Sequence, residues 1–359
     1  MDSRKLAYSL KVRANIFHTR AIVAEHAEKP PRDWEGLELK IAEETKTNTE
    51  LNVKLSNYLK SELENNYKII SLYQLSPAQA KAFTSLFASL SSQKKVAYPA
   101  VQSGEQLAKL SQNFELAHLE TNTNNSTIVL TRRRTFTLRK KIDRASLGTD
   151  AQTLFDTFDD VYGVADYHWQ TFDIIRLDHT TNQLELRADY TRSENSYQNN
   201  KQIDRSLGEL IGWIIYGCSK LKITFGMTTA TNLFPAISHF TFSDDGLISK
   251  LNFMTPQGSV KQDTMKKGED LRSELFYKKG LEAVDGKITP FDISVIWHNH
   301  NSFGPGQEIE LTIPSRLAVA STGDSAIQTY AILRYCSTDE DTRLLVGKLN
   351  GAVKDESKA

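Results

Sequence analysis

From Thr127 to Leu138 the chain runs without a Gly or Pro and is dominated by Thr, Val, Ile, Leu and Phe among its uncharged residues. Those residue types suit a pleated, half-buried surface, so this stretch commits the chain to a β-sheet. Alternation divides it into two faces. Ile128, Leu130, Phe136 and Leu138 fall on one. Val129, Thr131, Arg133, Thr135, Thr137, Arg139 and Lys141 fall on the other, largely a row of hydroxyls and cations. Arg132 and Arg134 interrupt the apolar face, which predicts a hairpin tip or a bulge that returns them to solvent.

The same stretch is the most basic in the chain. Seven cations (Arg132, Arg133, Arg134, Arg139, Lys140, Lys141 and Arg144) accompany one acid, Asp143, between Thr131 and Arg144. Cations and hydroxyls held on a strand can touch successive phosphates, and release of counterions makes such binding salt-dependent. A solvated edge strand, where cations block pairing between sheets, accounts for the same pattern. Lys+Arg and Asp+Glu both number 44, so the chain as a whole is neutral. That argues against a protein that coats nucleic acid and for a local patch.

Elsewhere the hydrophobic period sorts the chain into two parts. Up to residue 121 helices dominate. Lys5–Glu28 fits a helix, although Leu10–Phe17 also fits a strand. Asp33–Asn65 carries a helical stripe of Leu51, Leu55, Tyr58, Leu59 and Leu63, and Tyr67–Tyr73 reads as a short strand. Ser76 with Pro77, and Ser103 with Gln106, signal helix starts. A polar cluster at Thr121–Ser126 marks a boundary. Beyond it, strands are predicted at Trp169–Leu177, Gln183–Tyr190, Ile237–Phe242, Leu247–Met254, Phe291–Trp297, Glu308–Ile313, Leu317–Ser321 and Ala326–Tyr335. In Gln183–Tyr190, Glu185, Arg187 and Asp189 are expected to point outward. Helices are predicted at Thr149–Val161, Ile203–Leu221 and Gly268–Val284. Ile203–Leu221 is apolar around most of its circumference, which predicts a core helix or a dimer seam.

The resulting expectation is an α+β protein. A helix-rich domain (1–121) precedes an α+β domain (122–352), with a mainly antiparallel or mixed sheet and helices on one face. A polar tail (353–359) is expected to be disordered. The length of 359 residues, with 39% hydrophobic and 25% charged residues, suits such a folded protein.

Chemistry-bearing motifs are sparse. Neither GxxxxGK[ST] nor a GxGxxG after a strand occurs, and GxSxG, HExxH and CxxC are also missing. Two separated cysteines, Cys218 and Cys336, fit a reducing compartment. The N-terminus lacks an apolar signal-peptide core, and these features together predict a cytoplasmic protein without a membrane segment. His298 and His300, two apart at a strand end, are weak candidates for a shared metal, and no cofactor is expected. Asp173 with Glu185-Leu186-Arg187 resembles the spacing of a metal-dependent nuclease hairpin, but Arg stands where a Lys would serve. The aromatics Tyr162, Tyr167, Trp169 and Phe172 could stack on bases or pack in a core.

These residues predict a non-enzymatic protein that contacts nucleic acid, or another polyanion, through Arg132, Arg133, Arg134, Arg139, Lys140, Lys141 and Arg144. Its helical part would dock a protein partner or a second copy. The alternatives are a protein-interaction subunit of a larger complex, such as a bacterial anti-phage defence system, and a metal-dependent nuclease or hydrolase.

Overall fold

A computed structural model describes residues 1–27, 29–190, 200–226, 229–266, 268–299 and 307–356. Four helices open the chain: α1 (Ser3–Arg13), α2 (Ile16–Ala24), α3 (Trp34–Glu44) and α4 (Thr49–Asn65). Each begins where a side-chain oxygen (Asp2, Asn15, Asp33, Asn48) accepts a backbone N–H of the first turn. Asn15 therefore settles the helix-or-strand ambiguity of Leu10–Phe17 by starting a second helix. Strand β1 (Lys68–Gln74) and α5 (Pro77–Ser89) follow, the latter with a complete capping box between Ser76 and Gln79. Helix α6 is only Gly104–Lys109, and Ser103 makes no capping bond.

The strands β2 (Glu115–Thr121) and β3 (Asn125–Lys141), the short α7 (Thr149–Leu154), and β4 (Tyr162–Asp178) and β5 (Gln183–Asp189) form the next block. After α8 (Asn200–Lys220) come α9 (Pro235–Phe242), β6 (Leu247–Met254), β7 (Val260–Thr264) and α10 (Leu275–Ala283). The chain ends with β8 (Thr289–Asn299), β9 (Gln307–Ile313), α11 (Leu317–Ala320), β10 (Ala331–Arg334) and α12 (Asp339–Glu356).

The strands build one ten-stranded sheet in the order β2-β3-β4-β5-β1-β10-β9-β8-β6-β7. Every pairing is antiparallel. The fold is α+β, as the periodicity predicts, but two expectations about its organisation need correction. The boundary at 121/122 is a turn inside the sheet: Asn122 donates its N–H to Asn125 O at 2.9 Å and joins β2 to β3. Strand β1, from the helix-rich part, pairs with both β5 and β10 at the middle of the sheet.

Helices also cover both faces rather than one. Ile69, Ile128, Leu130, Ile175, Leu184 and Leu186 pack with α5 and α8. Gly217 lets α8 approach α5, because a Cβ there would lie 2.7 Å from Leu86 Cδ1. On the opposite face, Val129, Phe172 and Ile174 pack under α1–α4. Ile70, Leu72, Ile293, Leu311 and Leu333 pack there under α9 and α12. This second layer explains why Glu185, Arg187 and Asp189 are buried instead of outward. Arg187 is fully enclosed, with Nε donating to Glu185 Oε2 at 2.9 Å and Nη1 to Asn65 Oδ1 of α4 at 3.0 Å.

Other segments differ for local reasons. Ile237–Phe242 is helical, and Pro235 at its start was the signal. Gly246, at φ +80°, turns this helix into β6, and a Cβ there would meet Val295 Cγ1 at 2.6 Å. Leu317–Ala320 is a single helical turn, and only Ala331–Arg334 of the predicted last strand pairs. The tail is part of α12 as far as Glu356. Leu345, Val346, Leu349 and Ala352 give α12 a buried stripe at helical spacing. Among the described residues no helix is long and apolar enough to cross a membrane.

Candidate polyanion interface

Strand β3 pairs with β4 without a register shift from Asn125↔Asp178 to Lys141↔Tyr162. Its other neighbour, β2, stops at Thr131, and β5 leaves β4 at Ile174. Past Thr131 and Phe172 the sheet therefore narrows to two strands, which run out as an antiparallel ribbon of residues 132–141 and 162–171. The predicted tip or bulge at Arg132–Arg134 does not occur.

Two carboxylates end the wider sheet. Asp173 Oδ1 accepts the Asp189 N–H at 2.7 Å, and Asp189 Oδ2 accepts the Phe172 N–H at 3.1 Å. Side chains here replace the next rung of the β4–β5 ladder. Asp189 also receives Lys68 Nζ at 3.1 Å and Arg13 Nη2 at 2.8 Å. Burial alone would raise the Asp189 carboxyl; the charges of Arg13 and Lys68 outweigh it and hold the group below its ordinary range.

The seven predicted cations divide into two groups along the ribbon. At its base, Arg132 is almost fully buried. Its Nη1 lies 2.6 Å from Glu209 Oε2 of α8, its Nε lies 3.8 Å from Asp173 Oδ2, and its guanidinium sits 4.0 Å over the Phe114 ring. Burial, and then the neighbouring Arg134 guanidinium, push the Arg132 pKa down. Arg134 approaches Asp173 only at 3.8 Å. Arg133 donates its backbone N–H to Ser111 O at 2.7 Å and its guanidinium to Ala108 O.

Farther out, Arg139, Lys140 and Lys141 are exposed. Arg139 lies 4.1 Å over the Tyr162 ring, and Lys141 is ion-paired with Asp160. Arg144 starts a short 3₁₀ turn, and its side chain lies outside the described residues. On the hydroxyl face, Thr135 Oγ1 is 3.0 Å from His168 Nδ1, and Thr137 donates to Asp166 Oδ1 at 3.3 Å. Of the four aromatics, Tyr162 and Tyr167 are 41% exposed, whereas Phe172 is wholly buried.

Between the ribbon base and α8 lies a cavity of about 280 Å³ that opens to solvent. Arg132, Arg134, Gln112, Arg205, Ser206 and Glu209 contribute to its wall. The periodicity of α8 marks it as a core helix, and Ile203, Leu207, Leu210, Ile214 and Cys218 are buried. It does not by itself reveal that the polar side of the helix would close a cleft with β3. Arg205 Nε donates to Glu209 Oε1 at 2.8 Å. Burial would raise the Glu209 carboxyl, but Arg205 and Arg132 together hold it below its ordinary range.

The nuclease-like hairpin does not assemble a carboxylate pair. Asp173 shares a sheet face with Leu186, while Glu185 lies on the opposite face beside Arg176, so the proposed carboxylate pair never meets. His298 is exposed on β8 opposite Glu308, and His300 lies outside the described residues. No three His, Cys, Asp or Glu among the described residues are grouped to hold a metal ion. Cys218 and Cys336 are both free and buried. Neither the protein-family models nor the curated proteins compared with this chain match it.

Proposed function

We propose that this is a cytoplasmic, non-enzymatic protein that binds nucleic acid through the β3–β4 ribbon. The observation that carries the reading is the shape. A two-stranded arm leaves the packed sheet with Arg139 and Lys140 exposed near its far end and Tyr162 and Tyr167 partly exposed alongside. A two-stranded ribbon is narrow enough for a major groove. Exposed tyrosines beside cations also suit the bases and backbone of a single strand. Arg132, Arg133 and Arg134 support the arm from its base, and Lys141 would exchange Asp160 for phosphate. Fluorescence anisotropy with mixed-sequence DNA and RNA at two salt concentrations tests this. Wild-type binding should weaken steeply with salt and be lost in Arg139→Glu/Lys140→Glu; salt-insensitive or unchanged binding would remove the reading.

A second reading is a protein-interaction subunit, favoured by the far edge of the sheet. There the edge strand β7 and the exposed Leu275 and Phe276 flank an apolar cavity of about 150 Å³ lined by Phe253, Tyr277, Leu281 and Val284. An extended apolar segment of a partner, paired to β7, suits that edge. Retention of this chain on partner peptides, and its loss in Leu275→Ser/Phe276→Ser, would distinguish this reading from the first.

A further inference from the structure

We propose that the cleft between the ribbon base and α8 binds a phosphomonoester dianion, carried either on the end of a nucleic-acid strand or on a free nucleotide. The nucleic-acid source rests on the ribbon reading above; the cleft chemistry does not.

Four guanidiniums, Arg132, Arg133, Arg134 and Arg205, stand around the cavity with two carboxylates, Asp173 and Glu209. The carboxylates are already engaged. Asp173 accepts the Asp189 N–H at 2.7 Å and the Thr171 hydroxyl at 3.2 Å, and it stands 3.8 Å from both Arg132 and Arg134. Glu209 is shared between Arg132 and Arg205. Two positive charges are therefore left over around the cavity.

The hydrogen-bond inventory agrees. Arg132 Nε and Arg134 Nη2 are buried and both face Asp173 Oδ2 at 3.8 Å, too far for a hydrogen bond, so each lacks an acceptor at bonding distance. A buried donor left in that state is destabilising. Protein interiors rarely keep two so close together unless an acceptor arrives. Burial first, and then the Arg134 charge, lower the Arg132 pKa, and an incoming anion would offset the second of these.

The form of the anion follows from the donors. Guanidiniums offer forked N–H pairs that match two oxygens of one phosphate. Arg134 on the strand and Arg205 on the helix approach from different sides, and Gln112 adds an amide at the rim. A diester in mid-strand has one charge and substituents on two oxygens. A terminal phosphate offers three free oxygens and close to two charges, which answers both the leftover charge and the unspent donors. The cavity of about 280 Å³ also leaves room for the attached sugar.

The test compares one oligonucleotide with and without a 5′-phosphate by anisotropy, and titrates adenosine monophosphate and inorganic phosphate by calorimetry. All use the full chain. Arg205→Glu is the primary variant because the Arg205 side chain is 80% exposed and safe to change; Arg134→Gln is the second. The expected result is a preference of roughly tenfold for the 5′-phosphorylated strand, reduced to none in both variants. Competition by the monophosphate would identify the free nucleotide as a source. If both strands bind equally and neither the monophosphate nor inorganic phosphate binds, the cleft proposal is overturned while the ribbon reading stands. If no oligonucleotide binds but the monophosphate does, and Arg205→Glu abolishes it, the ribbon reading fails and the cleft proposal holds.

Discussion

The two halves of β3 are built from the same residue types and do different work. Near its base, Arg132 lies against Asp173, Glu209 and the Phe114 ring, and is buried. Near its end, Arg139 covers one face of Tyr162 and Lys140 is exposed. The difference arises from neighbours. Beside the base lie the 108–111 segment, Asp173 of β4 and α8, so a cation there must find partners within the protein. Beside the outer half there is only β4, so its cations keep their water and can exchange it for phosphate. A basic run in sequence is thus two objects, one structural and one available for contact.

The strongest way to break this comparison is at the network that ends the wide sheet. Asp189→Ala removes the carboxylate paired with buried Lys68 and Arg13 and should cost about 3–5 kcal/mol in urea unfolding; a loss under about 1 kcal/mol would mean that the network does not hold the ribbon base. The same group sets a pH dependence. Its folded pKa is held below the unfolded value, so its stabilisation is present above about pH 4 and is lost as pH falls through the folded pKa. The acid limb of stability should be shallower in Asp189→Asn than in wild type, measured by urea midpoints across the acid range.

Arg132→Ala against Arg139→Ala sharpens the contrast directly. Removing Arg132 should cost about 1–3 kcal/mol, because buried charge-assisted bonds to Glu209 are lost. Removing Arg139 should cost no more than about 1 kcal/mol, the scale of an exposed cation–π contact. Equal losses in thermal unfolding would erase the distinction between the halves. The smallest stability effect belongs to Arg139→Glu/Lys140→Glu, which should leave the unfolding midpoint nearly unchanged. Its effect should appear instead in binding, which should be lost at a salt concentration where wild type still binds.

Much of this architecture was legible locally. Thr127–Leu138 announced a strand, Ser76-Pro77 announced a helix start, and the two-residue alternation placed Leu184, Leu186 and Ala188 on one face. The misreadings came where local pattern is shared between states. Ile237–Phe242 is apolar enough for a buried strand and is a buried helix. Glu185, Arg187 and Asp189 look like a solvated face and are covered by a second layer. The α12 stripe, with an acidic first turn at Asp339, Glu340 and Asp341, has a helical period in the sequence as well.

By itself the sequence determined the strand character of β3, the sorting of its side chains onto two faces, the capped start of α5 at Ser76 and the local excess of positive charge. Those properties depend on residues within a turn or two of one another. Only the tertiary structure decided that β2 and β5 stop short and leave a ribbon, that Asp173 and Glu209 claim Arg132, and that α8 closes a cleft beside Arg134. Glu209 reaches Arg132 across 77 positions of chain (209 − 132 = 77). Such a pairing is set by which layers cover the sheet and where its ladders end, and no local period encodes either.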